Sequence, residues 1–174
     1  MTVKERLVEY GGFIDVGILN HGFAPHLRDY DVLFEALWGK KKWADAKGTY
    51  RLRFSHCPEA TILTRVPDAS WKQAWADVFI DYDQWVAAGE PNGFVWGACW
   101  SMAYPGLRYI DDSVRARQWS ERMGKPMHEV IIETEAFQLQ LVFHDFTVTK
   151  LSDEVSIIDK IMFPIKAQDD EETG

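Results

Sequence analysis

A chain of 174 residues with 47% apolar and 26% charged content suits a single globular domain with a sizeable core. The formal net charge of −8 includes four carboxylates near the end, Asp169, Asp170, Glu171 and Glu172, so the rest of the chain carries −4. That balance speaks against nucleic acid as the partner, and no apolar run approaches the ~18 residues of a membrane span.

The opening residues, Met1-Thr2-Val3-Lys4-Glu5-Arg6, lack the apolar stretch of a signal peptide, which predicts a cytoplasmic protein. Cys57 and Cys99 fall in predicted strands, as expected of reduced, buried thiols rather than a disulfide framework. Aromatic residues make up 14% of the chain, eight of them tryptophan, and such rings bury much area at little entropy cost. Residues 1–166 are expected to form one domain and 167–174 a disordered acidic tail.

In chain order, the first predicted strand runs from Phe13 to Leu19. Asp31 to Trp38 is the second, with Val32, Phe34, Ala36 and Trp38 on one side. Alternation is cleanest from Thr49 to Ser55, where Tyr50, Leu52 and Phe54 share a face. The polar stretch from Gly39 to Gly48 makes these two strands a long-looped hairpin, and Ala60 to Val66 follows as a further strand.

Trp71, Trp75, Val78, Phe79, Tyr82, Trp85 and Val86 then recur at steps of three and four. At ~100° per residue they span roughly 120°, the width of one buried helix face. Asp68 or Ser70 can cap its start, and Gly89 with Pro91 can end it. The helix is expected to dock on a sheet through its rings and to leave Asp77, Asp81 and Asp83 in water.

Phe94, Trp96, Ala98, Trp100 and Met102 predict another strand, and Tyr104-Pro105-Gly106 a turn. Asp111-Asp112-Ser113 offers an N-cap to a second helix with an apolar stripe of Ala116, Trp119 and Met123, stopped by Gly124 and Pro126. His128 to Thr134, Phe137 to Phe143 and Phe146 to Leu151 read as extended, and Ile157 to Ile165 as a last strand or edge segment. The order predicts an α+β fold, a mostly antiparallel sheet with two helices packed on one face.

Chemistry is far less legible. Strand parity places His56 with Tyr50, Leu52 and Phe54, and His128 with Val130 and Ile132, so both point towards the core. A His56–His128 pair could bind a metal, but no HxH, HExxH or CxxC spacing accompanies it, and hydrogen-bonded structural histidines are the plainer reading. His144 falls with Gln138 and Gln140, towards solvent. His21 and His26 flank Gly22-Phe23-Ala24-Pro25, a loop that can shape a pocket mouth or simply satisfy its own backbone. GxSxG, GxGxxG and GxxxxGK[ST] are all missing, so neither nucleophilic catalysis nor phosphate binding finds a motif.

Charge is uneven. Lys40 to Arg53 holds six bases against Asp45, whereas Asp68 to Glu90 holds five acids against Lys72. Trp43, within the basic stretch, is the tryptophan best placed to anchor an interface. The acidic stretch suits a basic protein partner.

Several segments together resemble the YxiG-like family of small bacterial proteins. They are Asp15-Val16-Gly17 with His21-Gly22-Phe23, Arg28-Asp29-Tyr30-Asp31, and Gly48-Thr49-Tyr50-Arg51 running to Phe54-Ser55-His56-Cys57. Gly93-Phe94-Val95-Trp96-Gly97, Tyr104-Pro105-Gly106-Leu107, Lys125-Pro126-Met127-His128-Glu129 and Leu141-Val142-Phe143-His144-Asp145 complete the set. The resemblance covers roughly residues 10–152, leaving the tail outside. It implies, through the family's neighbourhood of toxin and immunity genes, an immunity-like binding role; it transfers no catalytic residue.

Taken together, these features lead us to expect a non-catalytic interaction protein without a cofactor. Asp77, Asp81, Asp83 and Glu90 would face a basic partner such as a toxin domain. The rival expectation is a small-molecule or metal-binding protein, or an enzyme, with a pocket near His21, His26, His56 and His128. A homo-oligomer using Trp43 and Ile157 to Ile165 is a third.

Overall fold

Alternating apolar residues produce strands, and among the described residues eight of them hydrogen-bond into one antiparallel sheet. The computed structural model describes residues 1–9, 16–36, 48–66, 68–73, 82–91 and 101–151. Its elements are α1 (Val3–Glu9), β1 (Val16–Phe23), β2 (Tyr30–Ala36), β3 (Gly48–Ser55), β4 (Glu59–Thr64), α2 (Asp68–Gln73), α3 (Tyr82–Ala87), β5 (Ser101–Tyr109), α4 (Val114–Met123), β6 (His128–Thr134), β7 (Phe137–Phe143) and β8 (Asp145–Lys150). The strand order is β4-β7-β6-β5-β1-β2-β3-β8. This is the expected α+β class.

The connections force that sheet to bend back on itself. β3 leads into β4 and β7 into β8 through only a few residues, yet these pairs sit at opposite ends of the strand order. Two four-stranded halves, β4-β7-β6-β5 and β1-β2-β3-β8, therefore face each other. One seam is the short β1–β5 ladder, where Gly17 opposes Met102. At the other, the His144 amide donates to the Ser55 carbonyl at 3.0 Å, and the Phe54 and Phe143 rings meet edge-on at 4.7 Å. Between the halves lies a core in which Val32, Phe34, Phe54, Val130, Leu139, Leu141 and Phe143 are wholly buried.

Among the described residues, α1 and α4 pack at two different places on the sheet. α4 packs Ala116 and Trp119 on Val142 and Met127, on the side of β7 opposite Leu141 and Phe143. α1, which has no counterpart among the predicted elements, sends Leu7 into the main core. Arg6 of α1 meets the Phe146 carbonyl and Asp145, and Lys4 pairs with Asp111, so the helix bridges the two halves. α1 is too short to show a period, but it begins with a capping box. The Glu5 amide donates to Thr2 Oγ1 at 3.1 Å and the Thr2 amide to Glu5 Oε2 at 2.7 Å.

The aromatic helix expected over residues 71–86 is seen at its two ends, as α2 and α3; residues 74–81 lie outside the described ones. At those ends the buried stripe does not hold. Trp71 is 45% exposed and Val86 43%, while Trp85 is half-buried and donates from its indole to the Pro91 carbonyl at 2.8 Å. The predicted stop at Gly89 is confirmed by a Schellman pattern. Gly89, at φ 83°, donates to the Val86 carbonyl, and the Glu90 amide to that of Trp85.

One other expectation needs correcting. Tyr104-Pro105-Gly106 does not turn the chain but lies within β5, as an irregularity between Ala103 and Gly106 against β6, with a cis Tyr104–Pro105 bond and Gly106 at φ 91°. A proline without a donor is tolerated at such a bulge, so a turn signature need not be a turn. Of the strand expected from Phe94 to Met102, residues 94–100 lie outside the described ones, and the described part, from Ser101, is strand. Residues 157–165 also lie outside the described ones. α4, by contrast, starts and stops as read: Ser113 Oγ accepts the Ala116 amide at 3.0 Å, and Gly124 closes it in the left-handed conformation.

Candidate functional site

Among the described residues, a concavity arises beside a break in β1. Ile18 opposes Phe34 on β2, but Asn20 opposes Leu33, so one extra residue bulges out and side-chain parity reverses. His21 consequently shares a face with Val32 and Tyr30. Simple alternation from Val16 and Ile18 would send it the other way, and no residue pattern signals the reversal. A cleft of about 90 Å³ opens beside the bulge, lined by Asn20, His21, Gly22, Phe23, Ala24, Asp31 and Leu33.

The His21 side chain is held on the face of Val32 and Tyr30. Its Nδ1 lies 2.8 Å from the Tyr30 hydroxyl, and its ring sits 4.7 Å from that of Phe137. Burial lowers its pKa and pushes that of Tyr30 up to about 12, so near neutral pH a neutral imidazole meets a neutral phenol. Asp31 on the cleft wall is gripped by Arg53, Nε and Nη2 each at 2.7 Å from a carboxylate oxygen.

The histidines expected to share a pocket are distributed. His26 serves its own loop, accepting the Arg28 amide on Nδ1 at 3.2 Å and approaching Asp29 at 3.5 Å. Asp29, only 3% exposed, ties that loop to the end of β3 by accepting the His56 amide at 3.0 Å. Its burial raises the carboxyl pKa, but Arg28 and the His56 amide outweigh this and leave it lowered. His56 sits at φ 48° with its ring 5.9 Å from that of His144. His144 Nδ1 bonds the Pro126 carbonyl at 2.8 Å, and His128 Nδ1 meets the Tyr109 hydroxyl at 2.9 Å. Burial first, then the charge of His144, lowers the pKa of His128. Among the described residues no three His, Cys, Asp or Glu side chains gather closely enough to hold a metal. Cys57 is a buried free thiol whose pKa burial pushes up to about 12, which leaves it a poor nucleophile.

A polar network that strand parity did not reveal lies under α4. Ser113 Oγ donates to Glu129, a carboxylate only 6% exposed, which also faces Arg115 at 3.3 Å. Arg115 continues to Glu59 at 2.6 Å and Gln140 at 2.6 Å, and Trp119 donates to Glu59 at 2.6 Å. A Ser113 N-cap followed by Arg115, and Glu129 alternating with Val130, were the available signals; neither shows which acid meets which base.

Of the acidic face, Asp83 and Glu90 are exposed on and just after α3, beside the exposed Val86. Asp77, Asp81 and Trp43 lie outside the described residues.

A bent antiparallel sheet with short helices and a small cleft at a strand bulge thus defines an α+β protein. The chain belongs to the YxiG-like protein family, matching it over residues 2–163, a longer span than the 10–152 read from the sequence and one that takes in α1. None of the curated proteins matches it. An uncharacterised protein from Neisseria gonorrhoeae, known from its crystal structure, is similar at 12% identity over 80% of this chain and 94% of that one, with a TM-score of 0.33. No helix among the described residues is long and apolar enough to cross a membrane.

Proposed function

We propose that this protein is a non-catalytic binding protein of the cytoplasm that neutralises a basic partner, in the manner of an immunity protein against a toxin domain. The observation that carries this reading is what the buried polar groups do. Asp29, Ser113, Glu129 and Thr134 are each committed to hydrogen bonds inside the fold. Tyr30 and Cys57 are held in their neutral forms. A reaction centre normally keeps such groups poised towards a cavity, and here they brace loops and helices instead.

The exposed surface after α2 is consistent with the same reading. Asp83, Val86 and Glu90 present carboxylates around an aliphatic contact, the composition of an interface rim that steers a basic partner. Affinity capture from the native cell, followed by kinetics with the captured protein, tests this. Asp83→Lys with Glu90→Lys should slow association severalfold at low salt and flatten its salt dependence. An unchanged on-rate removes this face from the interface. The rival, a small ligand beside His21, is favoured by the cleft alone; stoichiometric metal or a co-purifying small molecule in the native protein would support it instead.

A further inference from the structure

Among the described residues β4 leaves an open edge of the sheet with exposed aliphatic side chains. Among those residues it ends the strand order, with β7 as its one neighbour. Ile62 is 53% exposed and Leu63 51%, and Thr64 and Arg65 are exposed beyond them. Edge strands normally carry a lysine, proline or inward charge that blocks pairing with another chain. From Ala60 to Thr64 there is none.

The residues at the two ends say which strand fits. In an antiparallel pair centred on Ile62, that residue opposes its own copy, Thr61 opposes Leu63, Ala60 opposes Thr64, and Glu59 opposes Arg65. Opposite charges then close the ladder at both ends. Sliding the register by one residue sets Glu59 against Thr64, or Arg65 against Ala60, and loses both matches. Within each copy Glu59 already meets Arg115 and Trp119, and Arg65 meets Glu133 and Gln138, so the cross-strand charge match adds to existing pairs. Ile62 lies on the side of Leu139 and Leu63 on the side of Gln138, so pairing covers one aliphatic on each face of the strand.

We propose that two copies of the protein associate through β4 as a two-fold antiparallel pair centred on Ile62, extending each eight-stranded sheet across the interface. This stands independently of the binding role above. Sedimentation of the full chain should show its mass of 20.1 kDa doubling as concentration rises from low to high micromolar. Ile62→Lys places two ammonium groups opposite each other on the axis, and Leu63→Lys puts a charge on the other face. Each should weaken the dimer by about tenfold or more while leaving the monomer's circular dichroism unchanged, because both positions are solvent-exposed. Amide exchange of the wild-type protein supplies a readout that needs no variant: amides of residues 59–65 should slow as concentration rises. A monomer at all concentrations, a dimer untouched by both substitutions, or exchange at β4 independent of concentration would each overturn the proposal.

Discussion

Ser113 does two things that a single substitution removes together. Its Oγ accepts the Ala116 amide at 3.0 Å, capping α4, and donates its proton to Glu129, which is 6% exposed. A lost N-cap costs about 1 kcal/mol. A hydrogen bond to a buried charged group contributes about 1.5–3 kcal/mol, because its loss leaves the carboxylate short of a donor. Ser113→Ala should therefore destabilise by about 2.5–4 kcal/mol, large beside the ~5–15 kcal/mol of a typical domain. The apolar packing of α4 is small, Ala116 with Trp119 on Met127 and Val142. Urea unfolding of wild type, Ser113→Ala, Glu129→Ala and the double variant, followed by circular dichroism, gives the coupling directly. We expect the two sites to couple by about 1 kcal/mol or more, the double variant being less damaged than the sum. Additive effects, or a Ser113→Ala loss below about 1 kcal/mol, would mean that the buried Glu129 does not depend on this hydroxyl.

Three further outcomes follow from the same geometry. His21 and His128 have lowered pKa values through burial, so the unfolded chain takes up protons that the folded one refuses. Their contribution to stability is complete above the unfolded value near 6.5 and is lost as pH falls from there towards the folded values; a denaturation midpoint that is flat or rises on acidification from pH ~7 to ~5 would contradict this. Gly22 lies in β1 with nothing within 4 Å of where a Cβ would sit, so Gly22→Ala should stabilise by about 0.4–1 kcal/mol through reduced freedom of the unfolded chain, and a lower melting temperature would show the cleft wall to be tighter. Cys57, 2% exposed with a thiol pKa pushed up to about 12, should resist a thiol-modifying reagent in native buffer and react once urea unfolds the chain; rapid labelling of Cys57 in the native protein would refute its burial.

Strand identity was legible from residues 30 to 151 wherever one face alternates. Tyr50, Leu52 and Phe54 read as inward and are buried, and the β2–β3 hairpin pairs as expected, Val32 opposite Leu52. Helix ends governed by local backbone needs were legible too: Ser113 and Gly124 bound α4, and Gly89 closes α3. These features depend on neighbours within a few residues, which is why composition and spacing carry them.

What spacing could not carry was anything set by distant parts of the chain. The bulge in β1 turns His21 inward, and its cause is the register against β2, not the residues around it. Trp71 belongs to an apolar stripe yet is 45% exposed, because periodicity says which side is apolar but not whether another element arrives to cover it. Arg51 alternates as an outward residue and is 8% exposed; Glu129, on the face opposite Val130, is 6% exposed beneath α4. The local chain thus determined which segments extend, coil and end. Only the closing of β3–β4 against β7–β8 decided which of their faces meet, since burial and charge pairing are properties of two surfaces and a single strand supplies one.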